Sequence, residues 1–126
     1  MKTFSSQYVG IIKTMPQSWL NDLPNGVEGW EKTFMRMNNL DHGYWLFNLP
    51  GKPKYEILYF YLLFSGAIRF RTNIIGYQPE GIIKCYDSSD HYGKVWVQIA
   101  APVVKLEMPV PMKGFQGFRY TTEIFS

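Results

Sequence analysis

Ile57 to Ile75 reads ILYFYLLFSGAIRFRTNII, and the fold turns on these nineteen residues. The first eight, Ile57 to Phe64, are aliphatic or aromatic without a break. Successive side chains of a strand point to opposite sides, so such a run is apolar on both faces, as expected of a strand buried on both. Ser65-Gly66 follows as a tight-turn signal, and Ile68 to Tyr77 returns as the second arm of a hairpin. Strict alternation would place Ile68, Phe70, Thr72 and Ile74 on one face of that arm, with Arg69, Arg71 and Asn73 on the other.

Around this hairpin the remaining elements fall into order. Tyr8 to Lys13, YVGIIK, reads as a short opening strand. QSWLNDLPNG is rich in turn formers and connects it to a helix at Val27 to Asn38. There Val27, Trp30, Phe34 and Met37 recur at helical spacing as one apolar stripe. Asn25 is placed to cap the helix, with Glu28 three residues on in a capping-box arrangement. Tyr44 to Leu49, Val95 to Ala100 and Val103 to Met108 read as further strands. Pro79 to Lys94 is polar and reads as irregular, with Ile82 to Tyr86 as a possible edge strand. The expected fold class is α+β and β-rich: a small curled barrel of five to six strands with one main helix packed against it.

The totals set bounds. At 126 residues the chain fits one domain, 1–126. Its aromatic share of 17% is high, and the net charge of +3 favours an acidic partner only mildly. A single cysteine, Cys85, excludes a disulfide framework and a cysteine-rich zinc site. The N-terminus lacks the apolar core of a signal peptide, and the longest apolar run is far short of the roughly 20 residues that span a bilayer. The expectation is a cytoplasmic protein with no membrane association.

Candidate binding residues come from the aromatic and basic sets. Arg69 and Arg71, two apart on a strand, would project about 7 Å apart from one face, close to the spacing of adjacent phosphates. Trp19 and Trp30 offer rings on which bases stack; the rival reading of Trp30 is core packing. Asp87-Ser88-Ser89-Asp90-His91 holds acid-base residue types, but neighbours in one loop rarely converge, and the stretch reads more simply as a polar turn. Cys85 and His91 lack an orienting third group, and His42 with His91 shows no metal-ligand spacing. No metal, cofactor or catalytic residue is assigned.

The chain's tail, PVPMKGFQGFRYTTEIF from Pro109 to Phe125, gathers aromatic and basic residues around Gly114 and Gly117. The two glycines permit a backbone conformation or approach that a Cβ would prevent. Phe115 and Phe118 are placed to cap the core, leaving Gln116 and Arg119 to point elsewhere, toward a ligand.

The order of YVGIIK, GWEKTFMRM, YFYLLFSGAIRFRTNII and WVQIAAPVVKLEMPVPM resembles the PUA-like superfamily, which includes the ASCH, EVE and YTH domains. The resemblance is one of pattern, without the short ASCH signature or the complete YTH tryptophan cage. It implies a curled barrel with a pocket between barrel and helical segment, used for a base, a modified base or RNA. Trp19, Trp30, Arg69 and Arg71 would lie near such a pocket. The leading expectation is therefore a non-enzymatic nucleotide- or nucleic-acid-binding domain, with Gln116 and Arg119 added to those four. Two alternatives stand beside it: a protein-interaction module, such as a small inhibitor or accessory factor of a mobile element, and a small nuclease using Asp87, Asp90 or His91.

Overall fold

The computed structural model describes residues 7–15, 26–39, 44–84 and 90–126. At its centre lies the strand Tyr59–Phe64, the third in the chain and here β3. Phe60, Leu62 and Phe64 enter one core cluster, while Tyr61 and Leu63 enter a second, with Tyr59 packed at its margin. The unbroken apolar run is therefore divided side by side between two cores.

β1 (Gly10–Thr14), β2 (Tyr44–Leu49), β4 (Ala67–Gln78), β7 (Val95–Pro111) and β8 (Phe118–Thr121) complete a six-stranded sheet with β3, in the order β2-β7-β4-β3-β1-β8. β1 and β3 run parallel, and the other neighbouring pairs are antiparallel. The sheet curls into a half-barrel, an α+β arrangement with one helix, as expected. β2 and β8 are its two edges.

The helix α1 (Gly26–Met35) continues into a 3-10 turn, Arg36–Asn39, matching the predicted stripe closely. Trp30 and Phe34 are buried in the first core with Phe47, Phe60, Phe64 and Phe70, and Val27 packs against it. Asn38 fixes the end of this segment to β7: its amide donates to the Val103 carbonyl at 3.0 Å and its oxygen accepts from the Val103 N–H at 2.7 Å. Asn25, the expected cap, lies outside the described residues.

The second core lies on the other face of the sheet, where Ile12, Tyr61, Leu63, Ile68 and Leu106 are covered by Val110, Met112, Phe115 and Phe125. The C-terminal tail thus supplies much of the cover. Tyr61 holds it: its hydroxyl accepts from the Phe125 N–H at 3.1 Å and donates to the Glu123 carbonyl at 3.4 Å. Phe115 and Phe118 do cap core, but on opposite faces, Phe115 on the second and Phe118 on the first. Gly117 takes the left-handed φ of +76° at the entry to β8, a conformation that glycine adopts freely.

Three expectations change. Ile68 and Phe70 do not share a face: they belong to different cores. Leu63 pairs with Ile68 and Leu62 with Phe70, so Arg69 is an inserted residue in a bulge that turns the strand over. The two strands read on either side of Ala101-Pro102 are one, β7. Its register with β4 slips there, from Asn73 opposite Ala100 to Arg71 opposite Val104, and a bulge is where a sheet tolerates proline. Pro79 to Lys94 contains order, because β5 (Gly81–Lys84) and β6 (Asp90–Gly93) pair as a separate antiparallel hairpin. The Trp96 indole N–H bonds the Gly81 carbonyl at 3.1 Å and ties that hairpin to the sheet.

Two measurements check this architecture. A Cβ at Gly10 would lie 2.7 Å from the Tyr59 carbonyl oxygen and 2.9 Å from the Tyr61 ring. Neither paired backbone nor buried ring can retreat easily, so Gly10→Ala destabilises by about 1–3 kcal/mol in urea unfolding. Tyr61→Phe removes the tail's hydroxyl clamp and costs about 1–2 kcal/mol. Burial holds the Tyr61 hydroxyl above its ordinary value, against weaker opposing effects of the Phe125 hydrogen bond and Arg71. The unfolded state then loses this proton first, so stability falls as pH climbs past about 10. Tyr61→Phe makes that alkaline fall shallower without abolishing it, because Tyr77 is shifted the same way.

Candidate functional site

The bulge decides what the two central arginines do. Arg69 turns back to the hairpin, donating from Nε to the Phe64 carbonyl at 2.8 Å and from Nη2 to the Ser65 carbonyl at 2.9 Å. Ser65 and Gly66 both have positive φ, and their carbonyl-rich turn is what the guanidinium caps. Arg71 faces the second core, lies 4.8 Å over the Tyr59 ring and donates to the Phe125 carbonyl at 3.1 Å. The parallel pair expected from alternation is absent, since each arginine is held by a different part of the fold.

The other expected site residues are spread out. Trp30 is 4% exposed within the first core, so its ring faces are taken by packing. Arg119 lies over the Phe115 ring at 4.2 Å on the second face, and Gln116 is exposed in the turn before β8. Trp19, Cys85, Asp87 and His42 lie outside the described residues. Asp90 and His91 stand on β6, in register with Lys84 and Ile83. Among the described residues no group of three or more His, Cys, Asp or Glu is placed to hold a metal ion. No helix among them is long and apolar enough to cross a membrane.

An aromatic and basic site does form, from residues the sequence reading did not single out. The segment after β2 crosses toward β8, so it bridges the two edges of the half-barrel. The Lys54 backbone N–H donates to the Tyr120 hydroxyl at 2.8 Å, and Leu58 N–H bonds the Val9 carbonyl at 2.9 Å. A Cβ on Gly117 would lie 3.8 Å from Pro50, which shows how closely segment and edge approach. An open hollow of about 520 Å³ lies along this seam, lined by Tyr8, Lys52, Lys54, Tyr55, Phe118 and Tyr120 together with Pro50 and Gly51.

Its wall is a triangle of phenols. Tyr8, Tyr55 and Tyr120 have ring centroids 4.9–5.0 Å apart, with Tyr8 and Tyr120 stacked and Tyr55 edge-on to Tyr120. Phe118 adds an edge contact to Tyr120 at 5.4 Å. Tyr55 is 39% exposed, the ring of this group that offers the most surface to a ligand. Lys52 lies 5.4 Å from the Tyr77 ring centroid. Burial, and after it the nearby Tyr120, push the Tyr77 hydroxyl above its ordinary value, so that ring stays neutral beneath the cation. Among the described residues, two lysines and no carboxylate line the hollow, an arrangement suited to an anion carrying a flat ring.

The signal that would have found it was faint. Lys52-Pro53-Lys54-Tyr55 reads locally as a turn, and its partners Tyr8 and Tyr120 are distant in the chain. Only the closure of the seam brings them together. For Arg69, whose guanidinium serves the turn, Arg69→Ala lowers stability by about 1 kcal/mol. Urea unfolding measures the loss.

The pattern resemblance to PUA-like domains gains no family assignment: no protein-family model, curated protein or solved structure matches this chain.

Proposed function

We propose that the chain is a non-enzymatic, cytoplasmic, nucleotide- or single-strand-binding domain of PUA-like architecture, and that the seam hollow is its binding site. The observation that supports it most is the meeting of the Tyr8–Tyr55–Tyr120 ring cluster with Lys52 and Lys54 around one open hollow. Aromatic faces take bases regardless of sequence, and lysines neutralise the phosphates that follow. In this reading Tyr55 is the stacking platform. Lys52 and Lys54, both exposed, track the backbone.

A protein partner has one observation in its favour. Ile82 and Tyr92 are registered opposite each other on β5 and β6, and they are 67% and 58% exposed. Two large apolar side chains side by side on a solvent-facing hairpin suit a contact surface.

The binding proposal is tested by titrating fluorescently labelled eight-residue oligo-U and oligo-dT at two salt concentrations. Affinity falls with salt, and the Lys52→Ala, Lys54→Ala double variant has a log–log salt slope smaller by about two. Tyr55→Ala weakens binding by about 1–3 kcal/mol, the range for one stacked base. An unchanged affinity in both variants refutes the hollow as the site. No binding by the wild type refutes the function, and nuclease-insensitive capture of a protein that Ile82→Asp abolishes would put the hairpin reading in its place.

A further inference from the structure

Tyr77 stands near the end of β4, in register with Val97 of β7, and packs half-buried against the first core. Its ring is therefore held in place by the sheet. The Lys52 ammonium lies over that ring, 5.4 Å from its centroid, within the distance at which a cation is drawn to an aromatic face. Arg69, Arg71 and Arg119 also lie over rings, but of these cations Lys52 is the one that lines the hollow.

The stem of an exposed lysine is flexible, and holding its head at one place for an anion costs entropy. At Lys52 much of that ordering precedes any ligand. Pro53 beside it is buried, which fixes the base of the stem, and Tyr77 holds the ammonium at the other end. Among the described residues no carboxylate pairs with Lys52. The ring covers one side of the ammonium only, so N–H donors on the other side remain for a phosphate.

We propose that Tyr77 is a positioning residue of the seam hollow: its ring face presents the Lys52 ammonium to a phosphate of the ligand, while Tyr55 takes the base. This rests on the nucleotide-site reading of the hollow, and it adds a residue outside the hollow's lining that acts through one inside it. The two lysines of the rim then differ in kind. Lys52 is a pre-placed contact, and Lys54, with no ring beneath its ammonium among the described residues, is ordered only by the ligand.

The test is a double-mutant cycle on affinity for labelled oligo-U, with Tyr77→Leu, Lys52→Ala and the two combined. Tyr77→Leu should bind about threefold more weakly than wild type, and Tyr77→Phe, which keeps the ring face, should restore the loss. In the Lys52→Ala background Tyr77→Leu should change nothing further, because the residue it positions is gone. Wild-type affinity in a folded Tyr77→Leu protein overturns the proposal and leaves the nucleotide-site reading standing. An equal loss in both backgrounds also overturns it, since a ring that merely supports the fold acts with or without Lys52. No oligo-U binding by wild type overturns the nucleotide-site reading itself and the role of Tyr77 with it. Should Tyr77→Leu not fold, NMR of isotope-labelled wild type decides. The Tyr77 ring shifts the Lys52 ε-methylene resonance upfield, and persistence of that shift with oligo-U bound supports the proposal. Its loss on binding means that Lys52 leaves the ring to reach the ligand, and overturns it.

Discussion

The constraint on which this molecule depends is the double burial of β3. Each large apolar side chain removed from water contributes about 1.5–3 kcal/mol, but only if something dry lies above it. Phe60, Leu62 and Phe64 are met by the helix residues Trp30 and Phe34 and by the inner residues of neighbouring strands. Tyr61 and Leu63 face the other way, where no helix among the described residues is packed. The chain covers them with its own end, bringing Met112, Phe115 and Phe125 over that face. The polar contacts of the tail follow from this need. Tyr61 and Arg71 satisfy backbone groups of residues 123 and 125 that would otherwise be drawn back to water.

The same constraint explains the bulge at Arg69. β4 must serve both faces of the sheet while its turn is capped. Inserting one residue lets Ile68 enter the second core and Phe70 the first, and frees a guanidinium to close the Ser65-Gly66 turn. A regular strand would have set Ile68 and Phe70 in the same core and left the turn carbonyls to solvent.

This is also where the sequence stops being legible. The double burial of β3, the stripe of Val27, Trp30 and Phe34, the turn at Ser65-Gly66 and the bounds of β2 all follow from local patterns, because one element's own periodicity dictates them. The bulge does not, since it depends on which residues of β3 and β7 sit across from Arg69. Nor does the continuity of β7 through Pro102, which the register slip against β4 accommodates. The hollow is harder still. Tyr8, Lys54 and Tyr120 belong to three segments with no shared local signal, and the curl of the whole sheet is what joins them. The arginines looked like the site because strand geometry gave them a spacing, and the fold then used both for its own closure.

An open half-barrel leaves two edges, and an edge must be paired, covered or charged. Here the segment after β2 covers the gap, with Tyr120 as its hydrogen-bonded anchor. Covering alone would be served well by a neutral, apolar strap. Instead the seam carries Lys52 and Lys54 at its rim, with no carboxylate among the described residues that line the hollow. Like charges gathered beside low-dielectric aromatic walls repel one another and resist desolvation. They suit the seam to an anion with a flat face. That meeting of a closing strap with basic and aromatic groups is the physical ground for the proposed site at the seam, while Arg69 and Arg71 are held by backbone carbonyls of the turn and the tail.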